Sequence, residues 1–250
     1  MSVFMLSLLA IAGFLVAWMS HGLVIYENKL RQSLLRPILR RDLIERLFGG
    51  LFLSTVFAVT TQRVFIPYYR SEPIEAFVKL VFLLAVFTVV YYLSVYDYKK
   101  QVIPAKLTYY LSYGLLIINI VLLFIIKLDA VTFWVGNLYQ PVYNLVAGAT
   151  LSLLIWTLVY LSKEKWMGAG DIRLALVMGL MLGFQKITQG FYITIFSATI
   201  VGVLYGFKLG RFKNVPIPFV PFLALGLIVP IVFWEEVLIV QAEIFRLTYP

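Results

Sequence analysis

The chain contains no cysteine and a single histidine, His21. Without cysteine there is neither a disulfide nor a thiolate zinc cluster, so the compartment has to be read from topology. One histidine without companion ligands reads as an interfacial hydrogen-bonding residue, and no metal or cofactor is expected. Charge is scarce too: 13% of the residues are charged and 62% hydrophobic, at a mean hydropathy of +0.94. A water-soluble domain of this length does not have that composition. Internal repeats and low-complexity tracts are absent, and the longest polar interval, 27–42, is too short for a soluble domain. No lysine or arginine precedes Lys29 and no small-residue cleavage site follows the first apolar run. That run is expected to be an uncleaved span and not a secretory leader.

What the chain has in quantity is continuous apolar sequence. A spanning helix needs roughly 20 such residues, and the candidate stretches are 3–26, 43–64, 75–96, 104–126, 142–162, 171–184, 188–208 and 219–240. The stretch 171–184 is short for a full crossing. Unbroken runs, in place of alternating ones, exclude an outer-membrane barrel. The expectation is an all-α polytopic integral membrane protein of about eight transmembrane helices, one membrane-embedded domain over residues 1–250.

The formal net charge is +9, but its distribution points to lipid and not to nucleic acid. With the loop after the first span in the cytoplasm, the segments on that side hold most of the 21 lysines and arginines, from Lys29 to Arg46, then Lys99, Lys100 and Lys106, then Lys163, Lys165 and Arg173, then Lys208, Arg211 and Lys213. The positive-inside bias therefore puts both termini outside the cytoplasm. The basic loops are suited to anionic headgroups.

Within this frame two acids stand out. Asp97 and Asp171 each sit where an apolar run meets a short basic loop, on the same predicted cytoplasmic face. Ionisable groups at such a boundary are costly and usually functional. A carboxylate pair hydrolyses a peptide when one acid holds a proton and the other is ionised, so that a shared water is activated while the carbonyl is polarised. Two like charges brought close enforce that division. Asp97 follows the predicted end of a helix, where the dipole opposes charge; Asp171 opens one, where free N–H groups favour it. Asp97 is thus expected to carry the proton and Asp171 the charge.

Supporting residues lie close in sequence. Gly168 and Gly170 remove side-chain bulk beside Asp171 and permit positive φ, which would let a substrate backbone approach. Pro104 suits the first turn of the next helix. Taken singly, Asp171 also reads as a helix N-cap, Asp97 as an interfacial residue paired with a lysine, and Glu45 as a receiver of a basic substrate or a partner of Arg41 or Arg46. A proton- or ion-coupled transporter built on the same aspartates, a presenilin-like intramembrane protease and a non-catalytic scaffold are the competing readings.

Asp97-Tyr98-Lys99-Lys100-Gln101-Val102-Ile103-Pro104 resembles the first aspartate motif of the type IV prepilin peptidases, and Gly168-Ala169-Gly170-Asp171 with Ile172 and Arg173 resembles their GxGD motif. A third stretch, Pro216-Ile217-Pro218-Phe219-Val220-Pro221-Phe222-Leu223-Ala224, is similar to that family's Ile-Pro-Phe-Gly-Pro-Phe-Leu-Ala. The segment 41–50, with Glu45 and Gly49-Gly50, is similar to the one leading into the family's second span. The resemblance implies eight membrane helices, catalysis by Asp97 and Asp171 and no cofactor. It also implies a prepilin or pilin-like protein as substrate, cleaved behind its basic leader at the cytoplasmic border of the membrane. This chain departs from the family in lacking the four metal-binding cysteines of many bacterial members and their longer first cytoplasmic loop. Peptidase activity without methyl transfer is therefore the expectation. Val220 stands where the third motif has glycine, and the first span lacks the family's Gly-Ser-Phe-Leu-Asn opening.

Overall fold

The computed structural model describes residues 2–29, 40–67, 73–125, 141–164, 167–210 and 217–239. Most of the loop 27–42, together with Lys165, Arg211, Lys213 and Pro216, lies outside them. The described residues are helical and contain no strand. Six helical segments among them are long and apolar enough to cross a membrane: Met5–Val24, Leu43–Phe65, Pro73–Lys100, Ala105–Phe124, Pro141–Ser162 and Lys186–Leu209. The chain is an all-α, multi-pass membrane protein. In lipid the backbone has to satisfy its own hydrogen bonds, and a helix does so within each segment. The expected spans 171–184 and 219–240 correspond to shorter helices, described below.

The packing divides the chain into two compact units, Met1–Val102 and Ile103–Pro250. The first comprises α1 (Ser2–Lys29), α2 (Arg40–Thr60), which widens into a π turn at Thr61–Phe65, and α3 (Pro73–Lys100). Thr60 and Thr61 donate their hydroxyl protons to the carbonyls of Val56 and Phe57 at 2.6 and 2.8 Å where that widening begins. Helices α1 and α2 meet at glycines. A Cβ on Gly13 would lie 2.9 Å from the Leu53 carbonyl oxygen, and one on Gly50 would lie 2.6 Å from the Phe14 ring. Small residues at such crossings are what membrane helices use to pack, since burial from water supplies no drive there.

The second unit holds α4 (Ala105–Ile125), α5 (Pro141–Ser162), α6 (Ala169–Leu209) and α7 (Val220–Val232). Helix α5 ends in paired αL residues, Lys163 and Glu164, with φ of 51° and 59°. Their N–H groups donate to the carbonyls of Tyr160 and Val159, the two bonds of a Schellman cap. Helix α6 is two helices joined at Gly183, whose φ of 65° and ψ of 178° lie in a region only glycine enters readily. The expected division between a short sixth and a long seventh helix is present, at one residue and without an intervening loop. The first half of α6 packs on α5 where Gly179 faces Gly148 and the Ala147 carbonyl; the second half packs on α7 where Gly190 faces Gly226. Near the break a buried pair, Asn144 donating to Asn119 at 3.1 Å, crosses between α5 and α4.

Helix α7 carries the third sequence motif. Phe219 caps it, Pro221 lies in its first turn, and Val220, in place of the motif's glycine, is fully buried at its start. The helix stops at Phe233, and a further turn at 234–239 holds Glu235 and Glu236.

Candidate active site

Asp97 belongs to the first unit and Asp171 to the second. Both are buried, at 6% and 5% exposure, although the surrounding loops are polar.

Asp97 was expected just beyond the end of the third span. Instead α3 continues through it to Lys100, because Gln101 takes up the αL conformation (φ 53°) and donates its N–H to the Asp97 carbonyl at 2.7 Å. A single bond of this kind from the residue after the cap to the carbonyl four positions back is the αL helix stop. It places Asp97 in the last turn, where the carbonyl ends of the helix gather. The neighbouring lysines have their own partners. Lys99 Nζ lies 2.8 Å from Glu45 Oε2 on α2, and Lys100 Nζ sits over the Tyr96 ring at 4.1 Å. Glu45 therefore pairs with a residue of α3, and Arg46, one of its candidate partners, lies over the Trp18 ring at 5.5 Å; the Arg41 side chain lies outside the described residues.

Deeper in the first unit, His21 of α1 hydrogen-bonds through Nε2 to the hydroxyl of Tyr91 on α3 at 3.1 Å, with both residues buried. Gly49 of α2 lies against the same hydroxyl: a Cβ there would collide with it and would lie 2.9 Å from His21 Nε2. Of the Gly49-Gly50 pair noted in the sequence, one glycine thus admits a polar contact between α1 and α3, and the other admits Phe14.

Asp171 is not the N-cap of its helix. Gly168 occupies that position with extended backbone (φ −89°, ψ 162°), and Asp171 sits three residues in. Its Oδ2 accepts the Gly168 N–H at 2.9 Å, while its own N–H bonds the Gly168 carbonyl at 3.0 Å. This is the returning half of a capping box; glycine has no side chain to supply the other half. The positive φ that Gly168 and Gly170 permit is not used by either, since the positive-φ glycines among the described residues are Gly183 and Gly210. Gly170 is needed for space: a Cβ there would meet Ile103 Cδ1 at 2.6 Å and its Cβ at 2.9 Å. Gly168 by contrast has nothing nearer than 4.0 Å and is exposed.

Pro104 stands immediately before α4, and its carbonyl accepts the Thr108 N–H at 3.2 Å. The Thr108 hydroxyl in turn accepts from Arg173 Nε at 3.1 Å, and the Arg173 guanidinium stacks over Tyr109 at 4.3 Å. Within the second unit, then, Ile103 and the first turn of α4 are brought to Gly170 and the first turn of α6 that presents Asp171. Thr108 and Tyr109 carried no sequence signal of this role; the aspartate, the glycines, Ile103-Pro104 and Arg173 stood in the motifs.

The description "Type IV leader peptidase family" matches residues 83–207, which is half of the chain and takes in both aspartates. The chain belongs to this family. Among curated relatives, a "Prepilin leader peptidase/N-methyltransferase" of Xanthomonas campestris pv. campestris is 31% identical over 104 residues, covering 37% of this chain and 36% of that protein. Proteins of the same name from Aeromonas salmonicida and Aeromonas hydrophila are 29% and 30% identical over 143 and 139 residues, covering 54% of this chain and 43% of each relative. The chain spans less than half the length of these relatives. No solved structure matches it. As a leader peptidase family member, the chain carries the aspartate of its Gly168-Ala169-Gly170-Asp171 segment at a helix start, bonded to the Gly168 backbone N–H three residues before it.

Proposed function

We propose that the chain is a membrane aspartyl endopeptidase that removes the basic leader from type IV prepilins or pilin-like proteins, working at the cytoplasmic face of the membrane as one membrane-embedded domain. The observation that carries the reading is family membership over a segment that holds both Asp97 and Asp171, each of them buried in a terminal turn of a helix.

In this reading the two carboxyls share one proton. The ionised one, Asp171, takes a proton from water as the water oxygen adds to the scissile carbonyl carbon, and protonated Asp97 gives its proton to the carbonyl oxygen. Collapse of the tetrahedral intermediate breaks the C–N bond as Asp171 passes its proton to the departing amine nitrogen, while a hydroxyl of the intermediate returns a proton to Asp97 and becomes the carbonyl of the new acid. The opposite helix ends favour that division: carbonyls converge on the last turn of α3, and N–H groups on the first turn of α6. A pilin-type substrate suits this reading, with its apolar helix buried among the spans and its basic leader drawn to the acidic centre. Methyl transfer is left out, since the chain has no cysteines with which to build the metal loop of many bacterial members. A methylated product formed by the purified protein would overturn that part.

Co-expression with a candidate prepilin tests the reading. Wild type should shorten the substrate by its leader, and Asp97→Ala and Asp171→Ala should each abolish processing. Processing that survives either change removes the catalytic assignment.

A further inference from the structure

The ion pair between Glu45 and Lys99 joins residues 54 positions apart and is largely enclosed, with side-chain exposures of 21% and 12%. Exposed pairs contribute little to a fold; an enclosed one differs, because removing one partner strands the other charge away from water. Its location gives it a task. Asp97 lies in the last turn of α3, the part of a helix that frays most readily. Two residues along a helix point to nearly opposite sides, at about 200°, so Lys99 reaches to α2 from the side of the turn opposite Asp97.

The pair also continues an existing seam. On α2, Glu45 and Gly49 are four residues apart and share a face. On α3 their counterparts are Lys99 and Tyr91, so the two helices run antiparallel with one contact at Gly49 and Tyr91 and the next at Glu45 and Lys99. At the first contact Gly49 lies so close to the Tyr91 hydroxyl that no side chain fits between them. The second closes the seam beside Asp97.

We propose that Glu45 and Lys99 are positioning residues for Asp97: their bridge holds the final turn of α3 against α2 and thereby sets the place and burial of the Asp97 carboxyl. The catalytic consequence rests on the peptidase reading above; the structural consequence does not. A leader-binding role for Glu45 or a headgroup-anchoring role for Lys99 would leave Asp97 unaffected.

The test uses the full chain, purified and reconstituted, as wild type, Glu45→Gln, Lys99→Met, Lys99→Arg and the exchanged pair Glu45→Lys with Lys99→Glu. A hydrophobic carbodiimide labels accessible carboxyls, and mass spectrometry reads Asp97 and Asp171 separately. Glu45→Gln and Lys99→Met should raise labelling of Asp97 several-fold and leave Asp171 unchanged, while Lys99→Arg and the exchanged pair return Asp97 to the wild-type rate. With a prepilin substrate, kcat should fall roughly tenfold to a hundredfold, the scale of a small misplacement of a reacting group, with KM unchanged. If Glu45→Gln and Lys99→Met remain folded but alter neither Asp97 labelling nor kcat, the proposal is wrong. A rise in KM alone, equal loosening of both aspartates, or failure of Lys99→Arg to restore labelling also overturns it. If the labelling pattern holds and wild type cleaves no prepilin, the peptidase reading fails and the positioning role stands.

Discussion

The Gly168 N–H donates to Asp171 Oδ2 at 2.9 Å, so the carboxyl proposed for catalysis is also the group that satisfies an orphan donor at the start of α6. One oxygen serves the fold and the chemistry is left to the remainder of the carboxyl. The two roles separate by substitution. Asn retains an acceptor for Gly168 but loses the charge, whose interaction with a helix start contributes about 0.3–1 kcal/mol. Ala loses the acceptor as well, a further loss of about 1 kcal/mol. Thermal unfolding in detergent should therefore rank wild type above Asp171→Asn and Asp171→Ala last, while leader cleavage is lost in both. Equal stability of the two variants would show that the Gly168 bond contributes nothing.

Gly168 and Gly170 should respond differently to the same added methyl. Gly170→Ala drives a Cβ into Ile103 near its branch point, where the side chain has little freedom to yield, at a cost of about 1–3 kcal/mol. Gly168→Ala meets only atoms at 4.0 Å or beyond and should leave the unfolding midpoint near wild type. A loss of cleavage in stable Gly168→Ala would then report the space a substrate backbone needs, whereas full activity would show that this space is not used.

At the junction of α1, α2 and α3, Gly49→Ala should destabilise the chain by about 1–3 kcal/mol through collision with the Tyr91 hydroxyl. Tyr91→Phe removes that hydroxyl and with it the His21 bond, at about 1 kcal/mol. In the double variant the added methyl meets less obstruction, so the combined loss should be smaller than the sum of the single losses. Strict additivity in a chemical-unfolding cycle would place the Gly49 constraint elsewhere.

The break in α6 rests on one residue. Gly183→Ala forces a Cβ into a backbone region reserved for glycine and toward the Asn144 amide, and the strain alone is about 1–3 kcal/mol. Gly210, also at positive φ but in the ordinary αL region and with nothing within 4 Å, should accept Asn with little change. Comparable losses at both positions, measured by thermal unfolding, would mean that the φ of Gly183 is not the constraint.

Much of this protein was legible before any coordinates. Composition alone decided that lipid is the solvent, because 62% hydrophobic residues cannot be covered in water. The spacing of the aspartates, glycines and proline marked the candidate site, since chemistry of this type needs acids where a membrane protein otherwise has few. The break between the short and long halves of α6 could also be read, because a dip in hydropathy betrays a chain end or turn. What depended on neighbours distant in sequence could not. Glu45 was read as a receiver of a basic substrate or a partner of Arg41 or Arg46, and it pairs with Lys99 of another helix, since a side chain chooses its partner by distance in space. Glycines at 168 and 170 were read as removing bulk and permitting positive φ; one gives the helix start an extended cap and the other makes room for Ile103, and composition does not tell which property each position uses. Asp97 fell inside a helix and not after it, because a glutamine in the αL region, which L residues enter at a cost, delayed the stop to Gln101. The sequence by itself determined the solvent, the helical class and the identity of the acids, all consequences of which side chains exist. Which donors, cations and methyl groups surround those acids was decided only by tertiary packing, because those contacts are set by where helices cross.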